Sequence, residues 1–134
     1  SFTTEEIFTL INQNKKSIHL EKFMEFPKSF KNEKLNKKWI ELKKIRDVCN
    51  ISIEEKRTNK KIGSSLEASL TINLNKKIFD LIEGIDFAEL CITSYAQVLE
   101  TELDEIVVST TKAEGKKCSV CWKINKNECK RHPI

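Results

Sequence analysis

The sequence has no apolar run of about 18 residues, the length that a membrane-spanning helix requires. Its first residues, SFTTEEIF, also lack the basic and apolar segments of a secretory signal. The chain begins without methionine, so we expect a fragment or a processed protein. It contains no internal repeat and no low-complexity tract. These absences exclude a membrane-spanning chain and leave 134 residues, enough for one domain or two small ones.

Signatures of catalysis are missing as well. The segment IGSS at residues 62–65 has one glycine and lacks the lysine of a phosphate-binding P-loop, so it predicts a helix end. No nucleophile stands in a recognisable arrangement with a general base. We therefore expect no catalytic residue in this chain.

Cysteine is present in an odd number, five, and three of the five lie close to the C-terminal end. A secreted disulfide scaffold usually spreads an even number of cysteines through a small chain. The observed distribution favours a metal site or reduced thiols, and hence a cytosolic protein. The other two, Cys49 and Cys91, fall on predicted apolar faces, which is typical of buried, unreactive thiols.

The terminal cluster has the spacing of a metal site, Cys-x2-Cys-x7-Cys-x2-His, formed by Cys118, Cys121, Cys129 and His132. Two cysteines separated by two residues can point both sulfurs at one ion from a tight turn, and four such ligands in a tetrahedron suit zinc. A site filled by four protein ligands is structural, because no position stays open for water. The alternative is a frayed tail that carries free surface thiols.

Charge is distributed unevenly along the chain. Residues 1–63 carry a net charge of +6, residues 64–110 carry −7, and residues 111–134 carry +5. Basic ends are typical of a protein that binds a polyanion, although a lysine-rich solvated surface has the same composition. The candidate nucleic-acid contacts are basic residues of a predicted long helix and one aromatic residue of the terminal cluster: Lys43, Arg46, Arg57, Lys60, Lys61 and Trp122. Trp122 could stack on a base or pack the small zinc module.

The long helix is predicted by apolar residues at three- and four-residue steps. It runs from about Leu35 to Lys61, and Gly63 stands where a left-handed residue commonly ends a helix. Its stripe consists of Trp39, Leu42, Ile45 or Arg46, Cys49 and Ile53.

A change of period follows this helix. Strict alternation from Leu66 to Leu74 predicts a strand, after which Asn75 caps a short helix. Further strands are predicted near residues 90–99 and 105–111. The expected fold is α+β: a helical segment, then a small α/β unit and a C-terminal zinc knuckle. The predicted domains are residues 1–63, 64–112 and 113–134.

Several segments, taken in order, resemble the C-terminal part of bacterial isoleucyl-tRNA synthetases, and the match runs from Phe2 to Trp122. The segments are FTTEEIF, KWIELKKIRDVCN, EEKRTNKKIGSSLEASLTI, CITSYAQV and KAEGKKCSVCW. The resemblance implies a class I aminoacyl-tRNA synthetase that joins isoleucine to its tRNA with ATP. Residues 1 to about 63 would end its helical anticodon-binding domain. The remainder would be a C-terminal extension with a zinc finger similar to that of the formamidopyrimidine-DNA glycosylases.

The catalytic signatures of that family, HIGH and KMSKS, are absent from these residues. The resemblance therefore implies a non-catalytic segment that holds the anticodon arm of tRNA(Ile), with ATP bound only in the missing catalytic domain. It implies one structural zinc ion and a monomeric, cytoplasmic enzyme. The expected partners are tRNA(Ile) and the rest of the synthetase chain, and neither a membrane nor DNA is expected.

One departure from the family concerns the end of the finger. The family usually has a second Cys-x2-Cys pair, reached through a longer loop that often carries His-Pro. Residues 131–134 (RHPI) resemble that loop, in which case the second pair follows Ile134 and Cys129 is a loop residue. Alternatively the finger is shortened, and Cys129 and His132 replace the pair. Only Cys118 and Cys121 match the family motif residue by residue.

Two other functions remain open at this stage. A fragment of a DNA-repair glycosylase would share the finger, but the helix–junction–strand segment before it does not fit that class. A protein-interaction module would need neither of the basic ends.

Overall fold

The computed structural model describes residues 2–132, and the chain divides into two compact units between Asn32 and Glu33. The first unit contains α1 (Phe2–Ile11) and two 3-10 helices (Ile18–Leu20 and Lys28–Phe30). The second unit contains a long helix, a three-stranded sheet with two short helices, and a terminal hairpin. Its elements are α2 (Glu33–Thr58), a 3-10 turn (Ser65–Glu67), β1 (Ala68–Asn75), α3 (Lys76–Leu81), α4 (Phe87–Leu90), β2 (Tyr95–Thr101), β3 (Val107–Lys112), β4 (Lys116–Lys117) and β5 (Ile124–Asn125).

The first unit has little internal packing. No residue of α1 is buried, and the Glu5 carboxylate joins α1 to the first 3-10 helix by accepting a hydrogen bond from the Ile18 N–H at 3.1 Å. Most of its large apolar side chains are exposed, and only Phe8 and Ile18 among them are half-buried; the exposed ones are Phe2, Ile7, Leu10, Ile11, Leu20, Phe23, Met24, Phe26 and Phe30. Contacts within residues 2–32 therefore do not build an apolar core.

The sheet of the second unit has the order β2-β1-β3. The strands β1 and β2 are parallel, and α3 and α4 form the connection between them, whereas β3 runs antiparallel to β1. The alternation that predicted the first strand is confirmed: every second residue of β1 is buried, from Ala68 to Leu74. These side chains pack with the buried stripe of α2, which consists of Leu42, Ile45, Cys49 and Ile53. Each fully buried leucine or isoleucine stabilises such a core by roughly 1.5–3 kcal/mol.

Some details of the predicted elements are wrong. The left-handed residue that follows α2 is Lys60, not Gly63. Trp39 lies outside the buried stripe and keeps 44% of its surface exposed. The strand expected near residues 90–99 begins only at Tyr95, because the Asp86 carboxylate accepts hydrogen bonds from the Ala88 and Glu89 N–H groups and starts α4.

The helix α2 shares its core with the sheet. Besides the apolar contacts, the Ser52 and Thr110 hydroxyls form a hydrogen bond of 2.7 Å between α2 and β3. The end of the predicted segment 1–63 is thus packed against the segment 64–112. The three-part division stays a prediction about the domains of a longer protein. Within residues 2–132, no helix is both long enough and apolar enough to cross a membrane.

Candidate metal centre and nucleic-acid interface

A tight hairpin positions the first two cysteines. The short strands β4 and β5 pair antiparallel, and the Cys118 N–H donates to the Lys123 carbonyl while the Trp122 N–H donates to the Cys118 carbonyl. Gly115, at φ +127°, precedes β4, and a Cβ added there would lie 2.1 Å from the Asn125 carbonyl oxygen. Only glycine fits this close approach of the two backbone segments.

The structure brings all four predicted ligands together. One ligand atom from each of Cys118, Cys121, Cys129 and His132 lies within 4.8 Å of all the others. The Cys121 and Cys129 sulfurs are 3.7 Å apart, and the His132 Nδ1 atom lies 3.7 Å from the Cys118 sulfur and 3.6 Å from the Cys129 sulfur. Pro133 and Ile134, which belong to the RHPI segment, lie outside the described residues.

These distances fit a metal site. In a tetrahedral zinc site with bonds of about 2.3 Å to sulfur and 2.0–2.1 Å to nitrogen, neighbouring ligand atoms lie about 3.6–3.8 Å apart. The three measured separations match the edges of such a tetrahedron. The cluster of three cysteines and one histidine could therefore hold a metal ion at its centre.

Backbone groups favour the thiolate form at the first cysteine. The N–H groups of Cys121 and Val120 hydrogen-bond the Cys118 sulfur, and they lower the pKa of this thiol from 9.0 to about 6. A metal ligand must be deprotonated, so this turn prepares Cys118 for a cation before any ion arrives. Cys49 and Cys91 are buried in the apolar core instead, and the Cys91 side chain together with burial raises the pKa of Cys49.

The finger, residues 113–132, attaches to the sheet unit through several polar contacts, one of which is the hydrogen bond from the Ala113 N–H to the Glu67 carbonyl at 2.8 Å. The Ser94 hydroxyl donates to the Leu66 carbonyl and accepts a hydrogen bond from the Ile124 N–H at 2.6 Å. The Glu89 carboxylate of α4 forms ion pairs with Lys123 and, at 3.1 Å, with Arg131. These contacts fix the orientation of the finger, because they join both halves of it to the same end of the sheet.

The candidate nucleic-acid contacts fall into separate groups. Lys43 is exposed on the middle of α2, while the Arg46 Nε atom donates to the Leu90 carbonyl at 3.0 Å and so joins α2 to α4. Arg57, Lys60 and Lys61 lie together at the C-terminal end of α2. Since a helix rises about 1.5 Å per residue, Arg46 and Arg57 are roughly 16 Å apart along the axis.

Trp122 is the aromatic candidate, and 60% of its surface is exposed. It is held in a left-handed conformation at φ 65°, and the Lys117 ammonium lies 5.7 Å from the centroid of its ring. A large exposed indole beside a cation offers a surface on which a nucleic-acid base can stack.

The chain is similar to several curated proteins over nearly its whole length. It shares 67% identity over 132 residues with the isoleucine–tRNA ligase of Pelagibacter ubique, which covers 98% of this chain and 15% of that ligase. The ligase of Agrobacterium fabrum is 37% identical, covering 92% of the chain, and that of Zymomonas mobilis is 30% identical, covering 90%. The chain belongs to the isoleucine–tRNA ligases. No family model matches it.

The chain is a C-terminal fragment of such a ligase, as the sequence motifs predicted, and it spans only 13–15% of the length of these three relatives. Sequence reasoning missed three residues that organise this ligase segment: Glu89, Ser94 and Lys112. Glu89 and Ser94 join the finger to the sheet unit, and Lys112 lies beside the basic end of α2. A single carboxylate, hydroxyl or lysine carries no motif, and only the fold shows which distant segment it meets.

Proposed function

We propose that this segment is the tRNA-binding C-terminal part of an isoleucine–tRNA ligase. The parent enzyme would be a class I aminoacyl-tRNA synthetase that uses ATP, and its catalytic domain would lie elsewhere in the chain. The segment would bind the anticodon arm of tRNA(Ile) and so position the acceptor end for aminoacylation. We further propose a cytoplasmic, monomeric enzyme in which the segment contacts tRNA and the rest of the synthetase chain.

The observation that supports tRNA binding most directly is the exposed cationic and aromatic surface of the second unit. Lys43, Arg57, Lys60 and Lys61 are exposed on or next to α2, and Trp122 is exposed on the finger. Cations neutralise phosphates and exposed aromatic rings stack on unpaired bases, so the two kinds of group together suit a folded RNA with a single-stranded loop. Arg46 also belongs to the proposed RNA-binding residues, although its Nε atom already donates a hydrogen bond to the Leu90 carbonyl.

We propose one structural zinc ion as the cofactor of the segment, with Cys118, Cys121, Cys129 and His132 as ligands. The tetrahedral spacing of their donor atoms supports this assignment. Four protein ligands leave no open position for water, so the ion would hold the finger together and would not perform chemistry. The proximity of Cys129 and His132 to the first two cysteines supports the shortened finger over a second cysteine pair beyond residue 134.

Filter binding across a salt series tests the proposed function. The zinc-loaded chain should bind an isoleucine tRNA transcript more tightly than duplex DNA of equal length. The logarithm of its affinity should fall linearly with the logarithm of salt concentration. Equal, weak binding to both nucleic acids would contradict tRNA recognition. Binding to a protein partner that is insensitive to salt would favour an interaction module, and preference for duplex DNA would favour a glycosylase-like finger.

Zinc stoichiometry tests the ligand set. We expect about one zinc ion per wild-type chain, from the four-ligand geometry, and a clear loss of zinc in both Cys129→Ser and His132→Ala after dialysis. Ser119→Ala, which changes an exposed side chain between the first two cysteines, is the matched control and should retain zinc. Unchanged zinc content in the Cys129 and His132 variants would exclude these residues as ligands and would favour a second pair beyond Ile134.

A further inference from the structure

A basic cavity lies where the end of α2 meets the end of β3. Its volume is about 560 Å³, and residues from both ends of the junction line it. The charged members are four cations, Arg57, Lys60, Lys61 and Lys112, and two carboxylates, Glu54 and Glu67. Lys112 reaches this site because its position in β3 pairs with Ala68, the first residue of β1, where the chain arrives from α2.

The two carboxylates of the cavity are already engaged. Glu54 accepts a hydrogen bond of 2.6 Å from Arg57, and Glu67 accepts one of 3.0 Å from the Gly63 N–H. Among residues 2–132, neither Lys60, Lys61 nor Lys112 forms an ion pair with a carboxylate. Three lysines that line the cavity are therefore not paired with a carboxylate, and its lining has more cations than carboxylates.

The lysines are not needed to cap α2. The Lys61 N–H donates to the Lys56 carbonyl at 2.9 Å and the Lys60 N–H donates to the Arg57 carbonyl at 2.9 Å, which is the pattern of a Schellman motif. Backbone groups thus satisfy the last carbonyls, a role that lysine side chains otherwise take at a helix end.

Lys60 occupies the left-handed position of this motif, at φ 55°. The sequence predicted a left-handed residue at Gly63, which is wrong, since Gly63 has no positive φ. Glycine adopts this conformation without the steric cost that a side chain incurs, so a lysine at the position is conformationally unfavourable. A side chain kept at such a position points to a role for the side chain itself.

We propose that this cavity binds a phosphate group of the RNA backbone and that Lys112 is one of its ligands. The inference rests on the proposed tRNA-binding function and deepens it. The lining includes three lysines without an ion pair and no aromatic side chain, so the cavity suits the phosphate and offers no surface on which a base can stack. It therefore fixes the position of the RNA and does not read its sequence, whereas the exposed indole of Trp122 lies on the separate finger.

The test compares Lys60→Gly and Lys112→Ala with Lys77→Ala in the zinc-loaded chain. Lys77 is exposed, and Lys77→Ala removes one positive charge, as the other two substitutions do. Lys77 follows the end of β1 that lies away from the cavity, and at 3.3 Å per residue that end is about 23 Å from Ala68. Affinity for the isoleucine tRNA transcript is measured across a salt series. We expect Lys60→Gly and Lys112→Ala each to lower the magnitude of the salt slope by about 0.7–0.9 and to weaken binding about five- to eight-fold at 0.1 M salt. Lys77→Ala should leave both unchanged.

Lys60→Gly also separates binding from folding. Because glycine suits the left-handed position, the thermal midpoint of Lys60→Gly should equal or exceed that of the wild type while its affinity for RNA falls.

Two results would overturn the phosphate site and leave tRNA binding itself intact. They are salt slopes equal to the wild type in both cavity variants, or an equal loss of affinity in Lys77→Ala. Displacement of the RNA by millimolar inorganic phosphate at constant ionic strength would assign the cavity to the free anion instead. Absence of RNA binding by the wild-type chain would contradict the proposed function as well.

Discussion

The sheet and the finger of the second unit are held together by different interactions. In the sheet, fully buried apolar residues such as Leu70 and Ile72 pack against α2. In the finger, Val120 and Trp122 are 65% and 60% exposed, Ile124 is half-buried, and Cys118 is the one buried residue among those described. Removal of apolar surface from water stabilises the first region, whereas the second has almost no apolar core, and we propose that a zinc ion holds it together.

Removal of the metal should separate the two regions most strongly. Structural zinc binds small domains with apparent free energies of about 10–16 kcal/mol, so a chelator should unfold the finger while the sheet stays folded. Amide NMR measures both at once: the signal of Ile124 in β5 should move to its unfolded position, and that of Ile72 in β1 should not. Loss of both signals together would show that the two regions fold as one cooperative unit.

A substitution in the core of the sheet should destabilise the sheet and leave zinc binding by the finger intact. Leu70 belongs to β1 and is fully buried on the side that faces α2. Leu70→Ala should therefore lower the free energy of unfolding by about 2–5 kcal/mol while zinc stoichiometry stays the same. Urea denaturation of the zinc-loaded chain measures the free energy of unfolding. Ser69→Ala, on the opposite face of the same strand, is the control and should change stability by no more than about 0.5 kcal/mol. A similar loss in both variants would contradict the assignment of the core to the α2 side.

The smallest effect is expected at the contact between the regions. Glu89→Gln removes the ion pairs with Lys123 and Arg131, so the finger should leave the sheet more often without a change in zinc content or in global unfolding. The Lys123 ammonium lowers the pKa of Glu89 below its ordinary value of 4.5. The charged Glu89 carboxylate therefore stabilises the docked finger fully above pH 4.5. This stabilisation is lost as the pH falls through the lower pKa that Glu89 has in the folded state.

Salt provides the control for this prediction. The ion pair between Glu89 and Lys123 is partly exposed, and the Debye length falls to about 3 Å at 1 M salt. The difference between the wild type and Glu89→Gln in finger mobility, measured by amide relaxation, should therefore shrink at high salt. A difference that persists unchanged at 1 M salt would show that shape, and not charge, holds the finger at α4.

Much of the fold was predictable because periodicity reports burial on one face. The alternation of Leu66–Leu74 predicted β1, and the steps from Leu42 to Ile53 predicted the buried stripe of α2. Local turn chemistry was harder to predict. Asp86 caps α4, a short helix that the sequence did not predict, and Lys60 takes the left-handed position that Gly63 was expected to fill.

The candidate site shows the same limit. The spacing of Cys118 and Cys121 predicts a knuckle on its own, since both residues belong to one turn. Whether Cys129 and His132 lie near them depends on the path of the intervening chain, and the structure places all four side chains close together. Lys112 was missed because its proximity to Lys60 follows from the pairing of β3 with β1.

The double hydrogen bond of Ser94 has a consequence for the order of assembly. Ser94 precedes β2, whose parallel pairing with β1 requires the whole connection from residue 76 to residue 94 to close first. Only then does the Ser94 hydroxyl lie between the Leu66 carbonyl and the Ile124 N–H. Pairing two parallel strands across so long a connection is slow compared with forming local contacts. We therefore expect the finger to dock last, as a late kinetic step that follows folding of the sheet.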